Sequence, residues 1–378
     1  MAMDSKTRLL TAWSFQEPDR VPIEMALAPQ AEGLPGAEEI RRFVETEADN
    51  FRWVPGFDWG FLGLDNTYSE EIIEDVPGKY KRMQRTLETP VGTFTGLTRH
   101  NYDDADPNDF HWEKRYVATL EDFRRLAEAP RELRSFDATQ YNRGCAEVGN
   151  RGLPCTGLLH PLGVLVRQST MDEVYLWMVA EKRLMLRFLE RCTEQICASL
   201  LAIRGKPLAD PPVFMTYAYE MLIPPWLGQE QFNQLLFPFD QQVNEAVHQL
   251  GGRHRAHCHG NSGQFLELFA DMGIDSVEPL EPPPYGDNLL AVAKRQVGKR
   301  MLLSGNGPSQ VFHLASFEPR EARELVKQAI EEGAPGGGFT LREAGGGPGN
   351  GKTRAQQIKS IACSLVLIEA WREFGSYR

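Results

Sequence analysis

Residues 254–261 read HRAHCHGN, and four of these eight side chains can ligate a metal. Which of them act together depends on the backbone that carries them. In a strand, residues i and i+2 point to one face and i+1 to the other, so His257 and His259 share a face and Cys258 turns away. Two imidazoles on one face suit zinc and other borderline metals, whose catalytic sites take a third protein ligand and keep one position open. Carboxylates follow in the chain. The stretch SVEPLEPPPYGD, residues 276–287, puts Glu278 at a strand end and Glu281 in a loop stiffened by Pro279, Pro282, Pro283 and Pro284. Glu220, in YEMLIPP, is a further candidate ligand or general acid. A metal-free reading is also open, with the histidines hydrogen-bonded within the fold and Glu278 or Glu281 paired to Arg253 or Arg255. Cys258 reads as a core residue and His254 as a surface one.

The elements that must position these groups show in the hydrophobic pattern. Helical periodicity over residues 172–203 implies one helix or a pair, and short apolar runs then alternate with amphipathic stretches at βα spacing. The pattern predicts strands at 213–216, 254–259, 276–279, 301–305 and 338–341. It predicts helices at about 230–250, 264–272, 289–297, 320–332 and 353–374. Gly251, Gly273, Gly298 and Gly333 fall just past helices, where a left-handed cap residue is expected. Repeated βα units make a parallel sheet, and at this length a single (β/α)8 TIM barrel over 1–378 is the expected fold, with a doubly wound sheet as the alternative. Residues 1–130 form an N-terminal extension and first elements, rich in Pro and Gly. Residues 131–378 carry the main run of βα units. The aromatic cluster FRWVPGFDWGFLG, residues 51–63, reads mainly as core and otherwise as pocket wall.

A rival motif is GGPGNGKT, residues 346–353, which satisfies the bare phosphate-loop pattern GxxxxGKT between an expected strand and helix. Only about 25 residues remain beyond it, too few for the rest of a nucleotide domain. A glycine-rich active-site loop capped by the last helix is the better reading.

With 42% apolar and 25% charged residues the composition is that of a globular protein, and a net charge of −11 argues against a sequence-independent grip on nucleic acid. No run is apolar enough to span a membrane and no secretory leader is evident, so a cytoplasmic protein is expected. Six scattered cysteines without a CxxC pair imply reduced thiols.

The opening TRLLTAWSFQEPDRVPIE, the stretch GGRHRAHCHGNSGQFLELFADMGIDSVEPLEPPPYGD, the strand MLLSGNG and the late APGGGFTL together resemble the uroporphyrinogen decarboxylase superfamily. They are most similar to its methyltransferase-like branch, which serves corrinoid proteins. The resemblance implies a single (β/α)8 barrel with an N-terminal extension and suggests a homodimer. True decarboxylases of the family carry an arginine-rich segment for the substrate's carboxylates, and residues 21–36 contain no arginine. The corrinoid branch binds zinc through His-x-Cys-Gly and a later Cys. The first pair falls on His257 and His259, so imidazole replaces thiolate, and the later position falls near Glu343 or Ala344. That makes the site harder and less electron-rich.

The expectation is therefore a zinc-dependent methyl or alkyl transferase working with cobalamin or a corrinoid protein, with O-demethylation of a small methoxylated compound as one such reaction. Its metal ligands would be His257, His259 and Glu281. Glu278, Glu220 or Glu343 would serve as acid or base, and Tyr285 and Asn306 would orient the small-molecule substrate. A metal-independent decarboxylase or other lyase, with Arg342 or Arg167 holding a carboxylate, is a second reading, and a non-catalytic binding protein a third.

Overall fold

In the computed structural model, which describes residues 2–102, 110–307 and 309–377, the short apolar runs become strands and the amphipathic stretches become helices. In chain order the strands are β1 (Ile23–Glu24), β2 (Asn50–Trp53), β3 (Thr67–Val76), β4 (Tyr80–Thr89), β5 (Gly92–Asn101), β6 (His111–Lys114), β7 (Gly152–Gly157), β8 (Val213–Thr216), β9 (Arg253–His257), β10 (Ser276–Leu280), β11 (Leu302–Gly307) and β12 (Phe339–Glu343). Eight of them form one parallel sheet in the order β1-β12-β11-β10-β9-β8-β7-β2. Strands β8 and β10 are buried at every residue, as expected when side chains fill the inside of a sheet and helices cover its outside.

The two ends of the sheet meet along a seam held largely by side chains. The amide of Asp49 donates to the carbonyl of Ile23 at 2.6 Å. The Asn50 side chain then accepts from the Met25 amide at 3.0 Å and donates to the Met25 carbonyl at 2.8 Å, imitating the next rung of a ladder. The seam closes a (β/α)8 barrel, as the resemblance implies, and excludes the doubly wound sheet.

Strands β3–β6 make a separate antiparallel sheet inserted between the second and third barrel strands, with Leu87 and Phe94 turned into the core. Residues 172–203 form a pair of helices, Met171–Ala180 and Lys182–Leu201. The single helix expected at 230–250 is also two, Gln229–Leu235 and Phe237–Gln249. Pro238 sits in the first turn of the second, where its missing N–H is harmless and where it cannot continue the first. Gly251 and Gly273 take the left-handed cap conformation, at φ 68° and 92°. Gly298 and Gly333 do not: Gly298 stays right-handed at φ −65°, and Gly333 is the last helical residue. Among the described residues no helix is long and apolar enough to cross a membrane.

Candidate functional site

At the C-terminal ends of β9 and β10 two imidazoles meet two carboxylates. His257 lies opposite Glu278 in the parallel register, and its Nδ1 is 2.8 Å from Glu278 Oε1. The strand ends there, two residues earlier than its sequence suggests, so His259 sits in the exit turn just before Gly260, whose φ of 77° turns the chain. His259 Nδ1 is 2.7 Å from Glu281 Oε1, and the Gly260 amide donates to Glu281 Oε2 at 2.5 Å. Gln310 Nε2 donates to Oε1 of Glu281 as well. The two rings stand 4.6 Å apart, centroid to centroid, with planes at 80°. A carboxylate can only accept, so each Nδ1 carries a proton and, in the neutral ring, each Nε2 is left with a free lone pair and no hydrogen-bond partner among the described residues.

Behind this pair lies a buried web of charge. Glu24, at the end of β1, accepts from Arg255 Nη2 at 2.7 Å, Arg342 Nη1 at 3.0 Å, and the hydroxyls of Ser304 and Thr340 at 2.6 Å each. Arg342 Nε also approaches Glu278 Oε2 to 2.9 Å, although its N–H is not aimed along that line. Burial alone would raise the pKa of Glu278, but Arg342, the His257 hydrogen bond and Arg255 overcome it and hold this carboxyl well below the usual range. Burial likewise opposes charge on His259. The Glu281 hydrogen bond and the charges of Glu281, Glu220 and Glu278 outweigh it and raise the imidazole above its ordinary value. Glu343, at the end of β12, goes the other way. Burial pushes it up to about 8 despite the hydrogen bond from Ser364 Oγ and the nearby Arg342.

These groups open on a cavity of about 780 Å³, lined among others by His257, His259, Arg255, Arg342, Glu24 and Glu343. Gly345, Gly346, Gly347 and Pro348 form part of its wall, so the glycine-rich stretch borders the site. Gly347 is required there, because a Cβ would stand 1.8 Å from the Ala26 carbonyl oxygen. The Thr353 hydroxyl, which a phosphate loop would offer to a nucleotide's metal, instead caps the last helix in a capping box with Gln356.

The structure thus brings His257, His259, Glu278 and Glu281 together and places Glu343 on the same cavity. Glu220 lies close enough to influence His259 electrostatically, and its Oε2 is buried without a partner. Tyr285 is half exposed and outside the cavity lining. Asn306 braces the neighbouring loops, donating to the carbonyls of Leu280 and Asn288. Among the described residues no group of three His, Cys, Asp or Glu side chains converges as a metal set. Glu281 faces Nδ1 of His259 rather than a centre common to both rings. What the pair does fit is the outer support of metal-binding imidazoles, in which a carboxylate on one ring nitrogen orients the other toward the ion. His254 is a correction. It is buried, not on the surface, with Nε2 2.7 Å from Thr216 Oγ1 and Nδ1 2.5 Å from Asn244 Oδ1. The outward face of a barrel strand lies under helices, here Phe237–Gln249, and not in water. Cys258 is buried in the core as expected. The role of Glu24 had no counterpart in the sequence reading, because a two-residue strand between prolines and loops leaves no periodic signal.

The sequence matches no protein-family model and no curated protein. Among solved structures it is similar to a methyltransferase from Methanosarcina mazei, at 17% identity and TM-score 0.57, covering 98% of this chain and 99% of that one. A B12-independent methionine synthase from Shewanella sp. W3-18-1 aligns over 94% of this chain and 95% of that one, at 10% identity and TM-score 0.38. At fold level, the chain shares the barrel of the Methanosarcina mazei methyltransferase from end to end.

Proposed function

We propose that the protein is a methyl-transfer enzyme that takes a methyl group from a small methoxylated compound and passes it to a corrinoid, with a divalent metal such as zinc held on Nε2 of His257 and His259. The observation that carries this reading is the pair of adjacent imidazoles, each fixed through Nδ1 by its own carboxylate, on the wall of the barrel cavity. A metal bound there supplies Lewis acidity toward a substrate oxygen. The chain's residues do the rest. Glu278 and Glu281 fix tautomer and ring orientation, which keeps both lone pairs available. Glu343, whose pKa burial raises to about 8, accepts from Ser364 through Oε1 and lines the cavity, where its proton would go to an oxygen that loses its methyl group. The full-length fold shared with a methyltransferase agrees with this reading.

Elemental analysis combined with a spectroscopic titration tests it. Protein grown with ample metal should hold about one ion per chain, and the double variant His257→Ala, His259→Ala should release it. Added cob(I)alamin and a methoxylated donor should give methylcorrinoid absorbance. Metal content unchanged in the double variant would sink the metal site, and no methylcorrinoid with any donor would sink the reaction.

A further inference from the structure

We infer that the small molecule taken by the barrel cavity is a carboxylate with an apolar body, its charge met by Arg342 with Arg255 behind it. The inference rests on the cavity being the substrate site, as proposed above, and adds the chemical class of that substrate.

The chain carries a net charge of −11, yet this cavity is lined by four guanidiniums, Arg52, Arg151, Arg255 and Arg342. Three carboxylates line it too, but Glu343 is neutral at pH 7 because burial raises it, leaving Glu24 and Glu147. Glu24 is shared by Arg255 and Arg342, and Glu278, although outside the lining, also lies 2.9 Å from Arg342. Arg52 and Arg151 lie side by side, with no carboxylate paired to either among the described residues, and burial together with that neighbouring charge lowers the pKa of Arg52.

Arg255 is 1% exposed, and its Nε and Nη1 are buried without a partner. Buried N–H groups of a charged side chain rarely go unanswered, and an anion in the cavity lowers the cost of leaving them so. Arg342 is more accessible, with 34% of its side chain exposed. Its Nη1 is committed to Glu24 and its Nε is out of line with Glu278, while Nη2 has no hydrogen-bond partner among the described residues. The free Nη2 offers one oxygen of a carboxylate a charge-assisted hydrogen bond.

The rest of the wall suits an apolar body. Met25, Val54, Met215 and Pro348 line it, together with Trp53 and Tyr217, whose rings lie 6.1 Å apart at 16°. Arg342 and His257 both contact Glu278, so an anion on Arg342 sits beside the imidazoles.

Isothermal titration of the wild-type protein with methoxyacetate, benzoate and 4-methoxybenzoate, against the corresponding uncharged amides and inorganic phosphate, tests this without relying on turnover. At least one acid should bind about 10- to 100-fold more tightly than its amide, the worth of a charge-assisted hydrogen bond, and the gap should narrow with added salt. Arg342→Gln should abolish the preference and Arg342→Lys should retain part of it. If Arg342→Gln does not fold, the acid-to-amide comparison on wild-type protein still decides. Acids binding no better than amides, or phosphate binding as well as the best acid, overturns the inference. Acid preference without methyl transfer would leave this inference standing and remove the proposed function, and methyl transfer without acid preference would do the reverse.

Discussion

Glu278 and His257 face each other across two adjacent barrel strands, Oε1 to Nδ1 at 2.8 Å, with the carboxylate wholly buried. The same carboxylate neighbours Arg342, so it both orients an imidazole and offsets a cation. Glu278→Gln keeps the shape and removes the charge. Metal affinity should fall about 10- to 100-fold, as when the carboxylate behind a ligating histidine is lost. Stability should fall by roughly 3–5 kcal/mol, because Arg342 and Arg255 would then share Glu24 alone. Metal titration and denaturant unfolding measure the two effects separately.

His259 should set the acid limb of the activity. Its pKa is raised above the ordinary 6.5, so its protonated form persists to higher pH, and Nε2 becomes a ligand only once that proton leaves. The rate should therefore climb with pH about a midpoint above the ordinary imidazole value. Glu281→Gln, which removes the charge while keeping an acceptor oxygen, should move that midpoint down. The stability contribution runs oppositely, being fully present below 6.5 and lost as pH rises through the folded-state value. Imidazole titration by NMR in wild type and variant locates the midpoint.

Glu343 predicts a further stability slope. Its folded-state pKa is raised from 4.5 to about 8, so the folded protein holds a proton that the unfolded chain releases. The stability it contributes is present below 4.5, declines as pH rises between these values, and is gone above about 8. Glu343→Gln, neutral and able to keep the Ser364 contact, should flatten the slope and be the more stable protein at pH 9, by roughly a few kcal/mol. Its turnover of methoxylated substrates should drop at the same time, since the amide has no proton to give. Melting curves at pH 6 and pH 9 with matched rate measurements distinguish these effects.

What the sequence made legible was whatever repeats or alternates locally. The βα units after residue 213 could be read because each strand is a short apolar run followed by an amphipathic helix, and His257 and His259 could be placed together because strand geometry alone pairs i with i+2. Glu281 was visible as a carboxylate beside them, but whether it reached a metal or an imidazole depended on where β9 ended, which a run of mixed residues does not mark. Strands β1 and β2, at two and four residues, are too short to show a period, so Glu24 and the seam were hidden. His254 was misplaced for a related reason. A polar residue facing outward from a strand looks solvent-bound until the covering helix is known.

That hidden seam makes the last prediction. Asn50 closes the barrel by binding both the N–H and the C=O of Met25, which is 4% exposed and has little water to turn to. Asn50→Ala would leave both backbone groups without their partner, at about 1–3 kcal/mol each when buried, so the variant should lose roughly 2–6 kcal/mol. Asn50→Asp keeps the acceptor for the amide but turns a charged oxygen toward the Met25 carbonyl, and should be no better than alanine. Hydrogen exchange at the Met25 amide should speed up in both variants. Met25 and Asn50 also line the cavity, so ligand affinity should fall along with protection. If instead the amide exchanges at its wild-type rate in Asn50→Ala, the seam is held by the Asp49–Ile23 bond and strand packing, and the side-chain rung is incidental.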